Sequence, residues 1–195
     1  MIVLSKKFTQ GVIIKFWNLV ELLNGIGFAS QKGKTWIHTT GKYTDWQYAM
    51  SRAANQENFT ASMADAASTI FDYFNNKGKL GFITVLANIS LYCDYAGTNA
   101  PKPKIKDIGI LASVDPVAID KAGLDLVKKN VDTGTEELLN QINNLKGENT
   151  INIAEKIGVG TTEYNLINID DKDTKNAGSL ADITMKIILF ILLFI

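Results

Sequence analysis

The residue types best suited to chemistry fall in two short stretches. The first is Gly25-Ile-Gly-Phe-Ala-Ser-Gln-Lys-Gly-Lys-Thr-Trp-Ile-His38, which holds three glycines, two lysines, two hydroxyls and the only histidine. Glycines let a backbone turn sharply and approach a ligand closely. Lysines, hydroxyls and free amides suit a phosphate or carboxylate. The segment is therefore expected to form an anion-cradling loop, with Ser30, Lys32, Gly33 and Lys34 holding the ligand. His38, whose ordinary pKa lies near neutrality, is placed to move a proton. The second stretch is Cys93-Asp94, immediately after an apolar run that reads as a central strand. A thiolate beside a carboxylate can ligate a metal or meet a reacting group. Ligands in open α/β sheets tend to bind beyond the carboxyl ends of strands.

Two familiar phosphate sites are excluded by spacing. Gly33-Lys34-Thr35 resembles the end of a nucleotide-binding P-loop, but that motif needs a glycine at position 28, which is Phe28. Gly25-Ile-Gly27 lacks the third glycine of the dinucleotide fingerprint, and no strand precedes it. Each residue also has a plain structural role open to it. The lysines can be solvated, His38 can be a packed core residue, Cys93 a buried thiol and Asp94 part of a turn.

These residues need elements to position them. Ile2-Val-Leu4 reads as a short buried strand and Val12 to Leu23 as a helix apolar on nearly every side. Such a helix has to be covered, by this domain or by a partner. Asn55 to Phe74 carries apolar residues at three- and four-residue steps, with Asn55 as cap. Leu80 to Ile89 and Ile108 to Ala112 are unbroken apolar runs that suit strands covered on both faces. Asp115-Pro116 starts a helix, aspartate capping and proline leading. On that helix at most one of Asp120 and Asp125 is expected to face a site, the other to face water. Thr133-Gly-Thr-Glu136 reads as a capping box for the next helix. A helix over 151–157 and a strand over 163–170 follow. The alternation predicts an α/β fold, a mainly parallel sheet flanked by helices, part of a larger domain if the chain is a fragment. One domain over 1–170 is expected, then a polar linker at 171–182 and an apolar tail at 183–195. The stretch from Ser90 to Asp107, with Pro101 and Pro103, is long for a connection inside one domain and is expected to be a functional or a disordered loop.

Composition narrows the class. Twenty basic and twenty acidic residues cancel, which excludes a general nucleic-acid binder. A single cysteine allows no internal disulfide, so a reducing, cytoplasmic setting is expected. The tail ends in nine unbroken apolar residues, short of the roughly 20 that a spanning helix needs. Packing on the body, a partner chain or a membrane surface are the roles open to it.

Several segments together resemble the domain-of-unknown-function 362 family, some of whose members are labelled uncharacterised iron–sulfur centre proteins. They are Lys106 to Asp120, Ser62 to Ala67, Asn88-Ile-Ser90 with Cys93-Asp94, Ser30 to His38, Glu155 to Tyr164 and Ile167 to Asp170. The resemblance spans roughly residues 25–170. It implies an α/β domain in a redox or electron-transfer setting, with an iron–sulfur cluster as the family's cofactor. Here the ferredoxin cysteines are absent, and the family's Cys-Asp-Cys reads Cys93-Asp94-Tyr95. The family's N-terminal half is missing too, which implies a truncated copy.

Three functions stay open on this basis. One is a redox-associated protein with an anion or metal site between the Gly25–His38 loop and Cys93–Asp94. In it His38, Cys93 and Asp94 would be catalytic, Cys93 and Asp94 also the metal ligands. The second is a non-catalytic remnant or interaction subunit, with a partner protein covering the 12–23 helix or the tail. The third is a small-anion-binding enzyme without metal.

Overall fold

The computed structural model describes the backbone of residues 2–5 and residues 30–75, 80–91 and 102–170. Strand β1 (Ile2–Ser5) is followed by helices α1 (Gln31–His38), α2 (Tyr48–Ser51) and α3 (Gln56–Asn75). Strands β2 (Phe82–Leu86) and β3 (Gly109–Ser113) come next, then α4 (Pro116–Lys128), α5 (Thr135–Asn144), α6 (Gly147–Lys156) and β4 (Leu166–Asn168). The helix expected over 12–23, the linker and the apolar tail lie outside the described residues.

The strands form one mixed sheet in the order β2-β3-β1-β4. The expectation of a mainly parallel sheet is corrected here. β2 pairs with β3, and β3 with β1, antiparallel; only β1 and β4 run parallel. Unbroken apolar runs reveal burial, not direction. Direction depends on how the connection returns, and the β2–β3 connection returns to its own start. Its two ends are pinned together by the Asn88 amide donating to the Asp107 carboxylate (2.8 Å) and the Ile108 amide donating to the Leu86 carbonyl (2.7 Å).

Among the described residues, only one face of β2 is covered. Phe82, Thr84 and Leu86 are buried, whereas Ile83 is 48% exposed. The buried face packs on α4, whose Val117, Ile119, Leu124 and Val127 join Leu86 and Leu111 in the core. Gly123 keeps α4 close to the sheet, with Leu86 and Leu111 in ordinary contact range of a Cβ there. α3 packs against α6 through the same core, by way of Ala64, Ala67, Phe71, Ile151 and Ala154. The Asn149 side chain ties that pair by donating to Thr60 Oγ1 at 2.9 Å.

The helix starts show which local signals governed. Asn55 caps α3, its side chain accepting from the Asn58 amide at 2.9 Å. Asp115 caps α4 as expected, accepting from the amides of Val117 and Ala118, with Pro116 leading the helix. The Thr133 capping box does not form: α5 begins at Thr135 after Gly134, with no side-chain cap.

Candidate functional site

The Ser30–His38 stretch is a helix, not a loop. Ser30 Oγ accepts from the Gly33 amide (3.1 Å) and the Ser30 carbonyl accepts from the Lys34 amide (2.9 Å). Gly33 sits in the first turn, where the serine cap offsets its poor helix propensity. Two of the amides an anion cradle would use are thereby already bonded. Residues 25–29 lie outside the described residues.

On α1, the side chains diverge. Lys32 is exposed and Lys34 half-buried. His38 stacks on Phe59 of α3, ring centroids 4.7 Å apart and tilted by 32°. Burial first, and the Lys34 ammonium second, hold His38 below the ordinary histidine value of 6.5. It is therefore neutral at pH 7 and able to accept a proton. Because the shift is downward, the unfolded chain binds more protons below pH 6.5 than the folded one. The stability linked to neutral His38 is present above 6.5 and is lost as pH falls from there through the folded value. As the only histidine, it should dominate that window. Calorimetric Tm values at about pH 7.5 and about pH 5.5 are expected to fall with acidification in the native chain and to fall less in His38→Gln.

Cys93 and Asp94 lie outside the described residues. The chain leading to them is described as far as Leu91, which lines a cavity of about 160 Å³ with Lys102, Lys104 and Glu137. Lys104 and Glu137 pair across its rim at 2.9 Å. No residue of 30–38 lines that cavity. Among the described residues no three of His, Cys, Asp and Glu are grouped to hold a metal. An iron–sulfur cluster does not fit this chain, because clusters typically take about four cysteine thiolates and the sequence holds one cysteine.

A groove of about 860 Å³ lies between α1 and α3. Gly33, Trp36, Ile37 and Thr40 form one wall, at helical spacing. Ala66, Ile70, Tyr73 and Phe74 form the other, with Ser62, Asp65 and Thr69 as its polar groups. Trp36 is 56% and Tyr73 58% exposed, so two aromatic rings stand on the rim. Asp65 is the one charged residue among the described lining residues. The Trp36 indole lies over Gly41, where a Cβ would strike Nε1 at 2.6 Å. Gly41 also holds φ at +82°, and its amide donates to the Trp36 carbonyl at 2.8 Å.

Of the five described residues singled out from sequence (Ser30, Lys32, Gly33, Lys34 and His38), Gly33 alone lines this groove. Trp36, Gly41, Asp65 and Tyr73 were missed. The signal was the width of the apolar face on α3: Ala64, Ala67 and Phe71 point into the core, while Ala66, Ile70 and Phe74 turn toward α1. A face that wide serves two surfaces.

The segments 113–125 and 155–164 act on one another structurally. Asp115 accepts from the Thr161 amide at 3.1 Å, and a Cβ on Gly160 would collide with the Asp115 carboxylate. Glu155 accepts from the Thr162 amide (2.6 Å) and hydroxyl (2.7 Å), which lower its pKa. Tyr164 donates to Asp125 at 2.8 Å, and Lys121 donates to the other Asp125 oxygen. Burial and that carboxylate push Tyr164 up to about 12. Burial alone would raise Asp125, but the Lys121 and Tyr164 hydrogen bonds outweigh it and hold it low. Asp120 is buried, 1% exposed. Neither aspartate is the solvated charge expected from sequence.

No helix among the described residues is long and apolar enough to cross a membrane. The family described as "Domain of unknown function (DUF362)" has a model that matches residues 22–125. No curated protein and no solved structure matches the chain.

Proposed function

The chain belongs to the domain-of-unknown-function 362 family, and from that premise we propose that it binds a planar organic cation in the α1–α3 groove. The groove supports this because its rim is aromatic and the one charge among its described lining residues is negative. A cation carried on a planar aromatic ring system gains from ring faces and a carboxylate together. Lys32 and Lys34, which an anion site would need, are not among the lining residues.

The test uses two probes of like shape and opposite charge, tryptamine and indole-3-acetate, titrated into the full chain by calorimetry. Tryptamine is expected to bind in preference. Asp65→Asn should weaken it by about tenfold, the loss of one charge-assisted hydrogen bond. Trp36→Ala should weaken both probes. Equal binding of the two probes, or tryptamine binding untouched by Asp65→Asn, would refute the proposal.

A second reading has one observation in its favour. His38 is neutral at pH 7 and shares a helix face with Lys34. That pair would suit an anionic ligand whose proton His38 accepts, with Cys93 and Asp94 as further candidate contacts. Preference for indole-3-acetate, lost in Lys34→Ala, would support it over the groove.

A further inference from the structure

Hydroxyl groups on the two groove helices fall into two sets. Thr35 of α1 donates to the Gln31 carbonyl at 2.8 Å, and Thr60 and Ser68 of α3 donate to the Gln56 and Asp65 carbonyls at 2.9 and 2.7 Å. A helical Ser or Thr hydroxyl has such a carbonyl within reach. Thr40, on the α1 wall, donates to the Thr39 carbonyl at 2.8 Å. Ser62 and Thr69 also line the groove, yet neither hydroxyl has a hydrogen-bond partner among the described residues.

We propose that the groove's ligand is an aryl amine bearing a ring hydroxyl, with Asp65 holding the ammonium and Thr69 the hydroxyl. The proposal rests on the cation reading of the groove and narrows it to one class of amine. The order of groups along α3 favours it. At about 100° per residue, Asp65, Thr69 and Tyr73 fall within an arc of about 80°, and each step along the helix is about 6 Å. A ring with an ethylamine arm at one edge and a hydroxyl at another can bridge one such step.

Two hydroxyls compete for this role, and the aromatic rim decides between them. Ser62 lies about 4.5 Å before Asp65 along α3, on the side away from Tyr73. Thr69 lies between Asp65 and Tyr73, where a ring anchored at Asp65 meets the exposed Tyr73. Phe74 packs on Tyr73 edge to face, ring centroids 4.8 Å apart at 88°. Thr69 is exposed as well, so a ligand reaches its hydroxyl without displacing a protein partner. A threonine hydroxyl both donates and accepts, which suits a ring hydroxyl that does the same.

Calorimetric titration of the full chain with tryptamine and 5-hydroxytryptamine tests the proposal. The hydroxylated amine is expected to bind about fivefold tighter, the gain of one hydrogen bond. Thr69→Val keeps the branched shape and removes the hydroxyl, so the two amines should then bind alike. Thr69→Ser restores a hydroxyl and should retain the preference, as should Ser62→Ala. Asp65→Asn should weaken both amines by the same factor. Equal affinities in the native chain, a preference that survives Thr69→Val, or one lost in Ser62→Ala would each overturn the proposal. Tryptamine that binds and ignores Asp65→Asn marks a different failure, that of the cation reading itself, and the proposal falls with it.

Discussion

Asp115→Ala is expected to cost about 2–3 kcal/mol, the sum of a helix cap and one further hydrogen bond. One Asp115 oxygen accepts from Val117 and Ala118 at the head of α4, and the other accepts from the Thr161 amide at 3.1 Å. Alanine removes all three and leaves backbone donors at a helix end that lies against the sheet. For a chain of this length the loss should lower Tm by about 5–10 °C. Asp115→Asn separates the two roles. Its side-chain oxygen can still cap α4, but its amide group meets the Thr161 N–H donor to donor. It should therefore recover about half of the loss. Chemical denaturation with a two-state fit checks both numbers, and a cost for Asp115→Ala below about 1 kcal/mol would show that water replaces the carboxylate.

Gly41→Ala carries the second large effect, one that reaches from backbone strain to the groove. At φ +82° an L side chain is disfavoured by about 1–2 kcal/mol. The added methyl would also meet the Trp36 indole Nε1 at 2.6 Å, so the ring has to move. Stability is expected to fall by at least that strain, and Trp36 emission should shift as its surroundings change. Tryptamine affinity should drop along with it. Trp36→Ala in the Gly41→Ala background tells the two causes apart. With the indole gone the steric part of the cost disappears and only the φ penalty remains. If the double variant is no more stable than Gly41→Ala relative to its own parent, Trp36 is not what Gly41 accommodates.

Element by element, what was legible in the sequence follows the range of the interactions involved. β1, α3 and the start of α4 were readable because their signals are local. The Asn55 and Asp115 caps act within three residues of chain, and the 3.6-residue period of α3 needs no distant partner. Ser30 carried the same kind of signal, but three glycines in one short stretch outweighed it, and α1 was read as a loop. Gly33 is in fact a first-turn residue under a serine cap. Thr133 failed in the opposite way: its pattern was a good capping box, but the chain turns at Gly134, where a Cβ would strike Lys104 Cβ at 2.6 Å. That close approach of a distant segment cannot be seen in a run of four residues.

The candidate site was less legible than the fold. A groove exists only where two helices diverge, so its lining is decided by the angle between α1 and α3, not by either helix. His38 illustrates the point. Its type suggested proton chemistry, and burial against Phe59 does keep it neutral, yet it does not line the groove. Asp65 carries no local signal of a site; it matters only because the fold brings it and Trp36 into the lining of one groove.

By itself, the sequence determined the existence of most helices and strands, the Asp115 and Asn55 caps, the absence of ferredoxin cysteines and the family to which the chain belongs. Those properties rest on residue identity and on contacts within a turn or two of chain. Tertiary structure alone decided the direction of the strands, the bond between Asp115 and Thr161, the burial of Asp120 and the pairing of Trp36 with Asp65 in one groove. Each of these joins residues far apart in sequence. Such pairings are selected by how whole faces fit together after the chain has turned back on itself, and no local pattern encodes that fit.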